Sequence, residues 1–259
     1  SRMKNPKPLG RRRFLGRALA SGAVLTLGGC DRLSQSPWVV GLLDSAEKAT
    51  RSMQRLMTGR NALAREYGEA DLSPVFRANG TTDPNDADYQ KLAAAGFANW
   101  RLRVDGLVER PGRFSLNELR KMPSRTQITR HDCVEGWSCI GKWTGVPLAA
   151  LLDRVGVRPE ARYVMFFCAD AMDMSGDKYY ESIDLEGAYH PQTILAYAMN
   201  DRALPVAYGA PLRLRDERQL GYKMAKYIMR VELVDSFARF GDGGGGYWED
   251  QGYEWYAGI

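Results

Sequence analysis

The stretch from Arg125 to Gly156 most constrains the fold, because it sets a strand, a loop and a helix around one cysteine. In Arg125–Arg130, Thr126 and Ile128 sit among alternating polar residues and predict a short strand. Thr144-Gly145-Val146-Pro147-Leu148 leads into a helix predicted over Ala149–Val155 and stopped at Gly156. Between them runs Arg130-His131-Asp132-Cys133-Val134-Glu135-Gly136-Trp137-Ser138-Cys139-Ile140-Gly141-Lys142-Trp143, which reads as an irregular, Gly-containing loop. It holds two of the four cysteines and one of the two histidines, a concentration of reactive side chains where a rigid strand ends.

Cys133 admits three readings. It can be a small buried hydrophobe, one half of a Cys133–Cys139 disulfide in an oxidising compartment, or a thiolate ligand or nucleophile. Arg130 and His131 bring positive charge or donors beside it, which favours the thiolate, and a soft thiolate suits a soft or high-valent transition metal. Gly136–Lys142 also fits G-x-x-x-x-G-K. Trp143, however, stands where a phosphate-binding loop needs Ser or Thr for magnesium, and Trp137 and Ile140 are bulky for backbone that must wrap phosphates. A P-loop is excluded.

Arg130-x-x-Cys133-Val134-Glu135-Gly136-Trp137-Ser138, followed by Trp143-x-Gly145-Val146-Pro147-Leu148, resembles the molybdopterin domain of the sulfite oxidase family. Within it the pattern is most similar to the bacterial, exported branch that includes methionine sulfoxide reductase catalytic subunits. The resemblance runs from Asp71 to Asp235. It implies a mixed α+β fold of the sulfite-oxidase type and a molybdopterin cofactor, with Cys133 the one protein ligand to molybdenum. Arg130 or His131 would fix an anionic oxygen at the metal's open position. Further cofactor contacts are implied at Asn79, Cys168, Tyr208, Arg213, Gly221, Tyr222, Lys223 and Lys226. The arginine fork of Arg213 suits a phosphate, and backbone amides near Gly221 with a lysine make a phosphate cradle. The chain departs from the family at Tyr208, where relatives carry Asn or His, and at Cys168, where the reductase branch has threonine. Animal sulfite oxidases flank the asparagine with Arg and His, where this chain has Ala78 and Gly80.

The net charge of +5 misleads. Ser1–Gly29 contains seven Lys and Arg and no acid, leaving the rest of the chain slightly acidic, which argues against a nucleic-acid footprint. Arg11-Arg12-Arg13-Phe14-Leu15 resembles the twin-arginine export signal, and the apolar run Ala18–Gly29 after it is too short to span a bilayer. Leu27-Gly28-Gly29-Cys30 resembles a lipobox, whose cysteine would be lipidated. The expected location is therefore periplasmic, with a lipid anchor at the inner membrane. Residues 1–30 form the signal, 31–70 a linker and helix, 71–240 the cofactor domain and 241–259 a Gly-rich aromatic tail.

Along the rest of the chain, Trp38–Arg65 predicts an amphipathic helix, Trp100–Val108 a strand, and Ser115 with Glu118 a capping box. Tyr163–Cys168 predicts a buried strand, His190–Asn200 a helix start capped by His190, and Tyr227–Val234 a strand. Gly241–Gly246 formally satisfies G-x-G-x-x-G, but no strand–turn–helix unit follows it. Its glycines predict a flexible hinge. Tyr247, Trp248, Tyr253, Trp255 and Tyr256 predict that the tail docks, on the body or on a haem partner. No C-x-x-C-H occurs and no zinc pattern is present, so electrons would pass to or from a separate protein, which the resemblance implies is a haem protein of membrane cytochrome b type. The activity implied is two-electron oxygen-atom transfer on a small sulfite-like or sulfoxide-like substrate. A non-catalytic lipoprotein with the same fold and a plain thiol enzyme are the other classes the sequence leaves open.

Overall fold

A computed structural model describes residues 36–59, 61–172 and 176–259; the twin-arginine motif and Cys30 lie outside them. The chain divides into two compact units, one ending at Met53 and one running from Gln54 to Ile259. The first helix, α1 (Pro37–Thr58), stops at Gly59 with φ 74° rather than continuing to Arg65. Among the described residues no helix is long and apolar enough to cross a membrane.

Among the described residues the body carries ten strands: β1 (Arg101–Gly106), β2 (Gly112–Ser115), β3 (Arg125–Asp132), β4 (Ser138–Pro147), β5 (Tyr163–Ala171), β6 (Lys178–Asp184), β7 (Ile194–Met199), β8 (Arg202–Ala203), β9 (Arg213–Arg215) and β10 (Ile228–Val234). One sheet has the order β2-β1-β10-β5-β6, parallel only between β1 and β10. The other has the order β3-β4-β7-β8, with β9 also paired to β7. With short helices between, this is the mixed α+β fold expected.

Local chemistry explains most of these elements. In β1, Leu102 and Val104 turn inward while Arg101 and Arg103 face out. Ser115 and Glu118 form the reciprocal cap that starts α3 (Leu116–Arg120), after α2 (Ala87–Ala94). Helix α4 (Leu148–Val155) buries Leu148, Leu151, Leu152 and Val155 and ends at Gly156 with φ 71°.

Three expectations are corrected. Ser138–Pro147 is the longest strand of the second sheet and not a loop, pairing residue by residue with β3 from Asp132↔Ser138 to Arg125↔Gly145. Only residues 133–137 remain as the hairpin turn. Ile194–Met199 is a strand, not a helix. Its Ile194 and Ala196 pack with Trp143 and Phe76 on one face, while Leu195 and Tyr197 join the main core on the other, so a strand buried on both sides reads as an unbroken apolar run. His190 sits in the turn before it, its ring accepting the Gln192 amide. The glycine run is no hinge: Gly245 and Gly246 are buried, and Gly241, Gly243 and Gly245 hold φ of 52°, 88° and 96° in a fixed turn before α5 (Tyr247–Asp250).

Candidate active site

The β3–β4 hairpin carries Cys133 at its turn. The Cys133 amide donates to the Trp137 carbonyl at 2.9 Å, and the Gly136 amide to the Cys133 carbonyl at 2.9 Å, so a paired ladder fixes the half-buried thiol. Trp137 is held in turn by Glu135, its indole donating at 2.8 Å, and by the Arg77 guanidinium 5.2 Å from its ring.

Cys133 opens on a cavity of about 180 Å³. Asn79, Gly221, Tyr222 and Lys226 line it with the cysteine, as the resemblance implies. Thr81, Glu135, Asp170, Tyr179, Trp248 and Tyr253 line it as well, and these the sequence reading missed. Asp170 left one signal, an acid at the end of an otherwise apolar strand. Burial pushes its carboxyl up to about 6, against the opposing pull of Lys226, and its Oδ1 has no hydrogen-bond partner.

The remaining expected residues do not line this cavity. Strand alternation sends Arg130 outward, where its Nε donates to Asp132 at 2.9 Å. The same alternation buries His131 completely. Its Nδ1 accepts from Arg215 at 3.0 Å, and burial, with Arg215, Arg213 and Lys226 nearby, holds the imidazole well below its usual pKa. It is a neutral ring wedged behind Gly221, where a Cβ would collide with it. The thiol of Cys133 is raised, not lowered, because burial and Glu135 outweigh Arg77 and the Val134 and Glu135 amides. Cys139 is a separate free thiol, turned into the Phe76–Trp143 cluster and accepting the Arg77 amide at 3.4 Å, so the disulfide reading fails. Cys168 sits in the main core, its thiol pushed well up by burial. Tyr208 braces the segment before Asn79 by donating to the Phe76 carbonyl at 2.7 Å. Lys223 turns away from the cavity and is locked between Glu181, at 2.5 Å, and Glu249.

The cavity fits a metal–pterin group on two counts. Among the described residues, no cluster of three or more His, Cys, Asp or Glu side chains forms a metal site. A metal at Cys133 would therefore draw its other ligands from an organic group, as a pterin dithiolene supplies. Second, Lys226 and Arg213 are buried cations that form no close ion pair among the described residues, Asp170 and Glu217 acting on them only at longer range. Lys226 reaches only the carbonyls of Asn79, at 2.6 Å, and Thr81, and burial beside Arg213 lowers it to about 7. Arg213 donates to the carbonyls of Tyr208 and Met224, leaves Nε unpaired, and is lowered to about 9 by burial and Arg215. Both side chains flank Gly209, where a Cβ would lie 2.9 Å from that of Lys226 and 3.2 Å from that of Arg213. Two adjacent, desolvated cations are a site short of an anion, and a phosphate answers it.

Comparison with known proteins agrees. Residues 89–239 match the oxidoreductase molybdopterin binding domain. The chain is 39% identical over 248 residues to a protein of Azospira oryzae named as protein-methionine-sulfoxide reductase subunit YedZ1, covering 96% of this chain and 87% of that one. It is 38% identical over 179 residues to the protein-methionine-sulfoxide reductase catalytic subunit MsrP of Ralstonia nicotianae, covering 66% of this chain. It spans about half the length of that MsrP, 50%, and of the one from Xanthomonas axonopodis, 49%. The sulfane dehydrogenase SoxCD from Paracoccus pantotrophus aligns at 26% identity over 53% of this chain and 39% of that one, with a TM-score of 0.48. The chain belongs to the sulfite oxidase family of molybdopterin-binding oxidoreductases.

Proposed function

We propose that this enzyme reduces the sulfoxide of oxidised methionine to the thioether, consuming two electrons and two protons and releasing water. The observation that carries this reading is the charge around the cavity. Glu135 and Asp170 lie on its wall, and Lys226, the one cation among its lining residues, is buried and tied to carbonyls. Sulfite would meet two carboxylates, with the nearby Arg77 already drawn to Glu135 at 4.0 Å, whereas a neutral sulfoxide meets Val134, Met172 and aromatic rings. The names of the relatives support the same substrate.

In this reading Cys133 would ligate molybdenum, Asn79 and Gly221 would border the pterin with the Tyr222 ring at its outer edge, and Lys226 with Arg213 would meet its phosphate. The metal–pterin group supplies two-electron oxygen-atom transfer. The chain's own part is to bind, to orient and to keep water out: the hairpin fixes the thiol, and His131 and Arg215 back the wall at Gly221. The twin-arginine motif and Cys30 support a periplasmic, lipid-anchored enzyme, with a separate membrane haem protein of cytochrome b type as electron donor.

The test is the full chain loaded with molybdenum, assayed with a reduced viologen and N-acetylmethionine sulfoxide, and separately with sulfite and ferricyanide. Sulfoxide-dependent oxidation of the viologen is expected. Sulfite oxidation without sulfoxide reduction overturns the assignment.

A further inference from the structure

The family match ends at residue 239, yet the cavity wall does not. Trp248 and Tyr253, from the tail beyond that boundary, line the same cavity as Cys133. They join Tyr222 as a continuous group of rings. Tyr222 and Tyr253 meet edge to face with centroids 5.2 Å apart, and Trp248 and Tyr253 lie 5.3 Å apart. Val134, next to the cysteine, lines the same cavity and is 48% exposed, and Tyr253 is itself 38% exposed. The buried end of the cavity holds Asp170 and Lys226 with Tyr179 and Met224; toward solvent lie the rings, Val134 and the exposed Glu135.

The tail is fastened where it crosses the body. Glu249 reaches the buried Lys223, and Asp250 accepts from Tyr180 and from the amides of Asp242, at 3.0 Å, and Gly244, at 2.8 Å. The Trp255 indole donates to Ser182 at 2.8 Å and the Tyr222 hydroxyl to the Glu254 carbonyl at 2.6 Å. The rings at the mouth are thus held before any substrate arrives.

We infer that Trp248 and Tyr253 form, with Tyr222, an aromatic clamp that selects the substrate by gripping the methyl and sulfur end of a methionine sulfoxide side chain. This rests on the sulfoxide reading above. A sulfoxide is a dipole, negative on oxygen and positive on the sulfur and its methyl group. Ring faces carry negative charge and receive the positive end, while the exposed Glu135 carboxylate disfavours the negative oxygen at the mouth and turns it inward. Contacts between sulfur and rings are worth up to about tenfold in affinity each. Sulfite has no apolar end for such a clamp to hold.

The test is binding to molybdenum-loaded, full-length protein by isothermal titration calorimetry, with N-acetylmethionine sulfoxide amide and dimethyl sulfoxide as probes. Trp248→Ala with Tyr253→Ala is expected to weaken both probes, which share the methyl and sulfur end, by more than about tenfold. Tyr253→Phe keeps the ring and is expected to bind as wild type does. Molybdenum content and Tm of each variant show that the fold is intact. An unchanged affinity in the double variant, or no methionyl binding to the wild type, overturns the clamp. Binding does not require turnover, so an enzyme that binds the probe through these rings but fails to reduce it refutes the catalytic reading alone.

Discussion

Lys223 and Lys226 are three residues apart, and the structure gives them opposite work. Lys223 is fully buried between Glu181 and Glu249, with each side chain of the triad no more than 1% exposed. Burial and Glu249 push the Glu181 carboxyl up, and Lys223 pulls against them. Lys223→Met leaves two carboxyl groups facing each other without a cation. Removing one partner of a buried pair costs about 3–5 kcal/mol. At about 2–4 °C per kcal/mol for a body of this size, Tm should fall by about 6–20 °C. Adding Glu249→Gln should recover part of the loss by removing one of the stranded charges. Lys226→Met should do the reverse. It deletes a desolvated cation that hydrogen-bonds to carbonyls and forms no close ion pair among the described residues, so the cofactor-free protein keeps its Tm while pterin and molybdenum content drop. Scanning fluorimetry on cofactor-free protein, with metal analysis of protein expressed in molybdate, separates the two. A Lys223→Met variant within about 2 °C of wild type that has lost its cofactor would refute the reasoning and make Lys223 the phosphate ligand after all.

Cys133→Ala should lose molybdenum and activity together, whereas Cys139→Ser, a change in the Phe76–Trp143 cluster, should keep both; metal analysis decides. Asp170→Asn should stabilise the cofactor-free protein, and increasingly so with pH. The fold raises the Asp170 carboxyl to about 6, so the native state holds its proton more tightly and is penalised once it ionises. The penalty is absent below about pH 4, grows toward pH 6 and reaches about 3 kcal/mol above it, and denaturant titrations at pH 4 and pH 7.5 should show the variant's advantage only at the higher value. Arg11→Lys with Arg12→Lys should leave the folded protein in the cytoplasm, as cell fractionation reads out; equal periplasmic yield would refute the export signal.

The parts of the fold legible in the sequence are those with a single exposed face. β1 alternates, α4 has its stripe and its stop at Gly156, and the Ser115–Glu118 cap sits at its ordinary spacing. Where both faces are buried, the period vanishes, and β7 reads as a helix as easily as a strand. The failure at β4 has a different cause. Its inward positions alternate correctly through Cys139, Gly141, Trp143 and Gly145, but two are glycines, which suggest a loop. They are glycines because of close approach: a Cβ at Gly141 would lie 3.0 Å from the Phe76 ring, and one at Gly145 would strike the Leu195 carbonyl.

The same ambiguity governs the site. Cys133, Asn79, Gly221, Tyr222 and Lys226 were legible because the resemblance fixes positions in the chain, and these positions face the cavity. It does not fix direction. Arg130 and His131 flank the cysteine in sequence, yet the pleat sends one to solvent and the other behind the wall, so proximity along the chain overstated their charge at the thiol. The tail shows the limit from the other side. Its rings announce that it must dock, but nothing local says where. The answer lies in Glu249, an acid whose partner Lys223 is remote in sequence and itself looked like a cofactor ligand. A buried charge is read correctly only when the element bearing its counterion is in place, because burial without that partner would favour the neutral form.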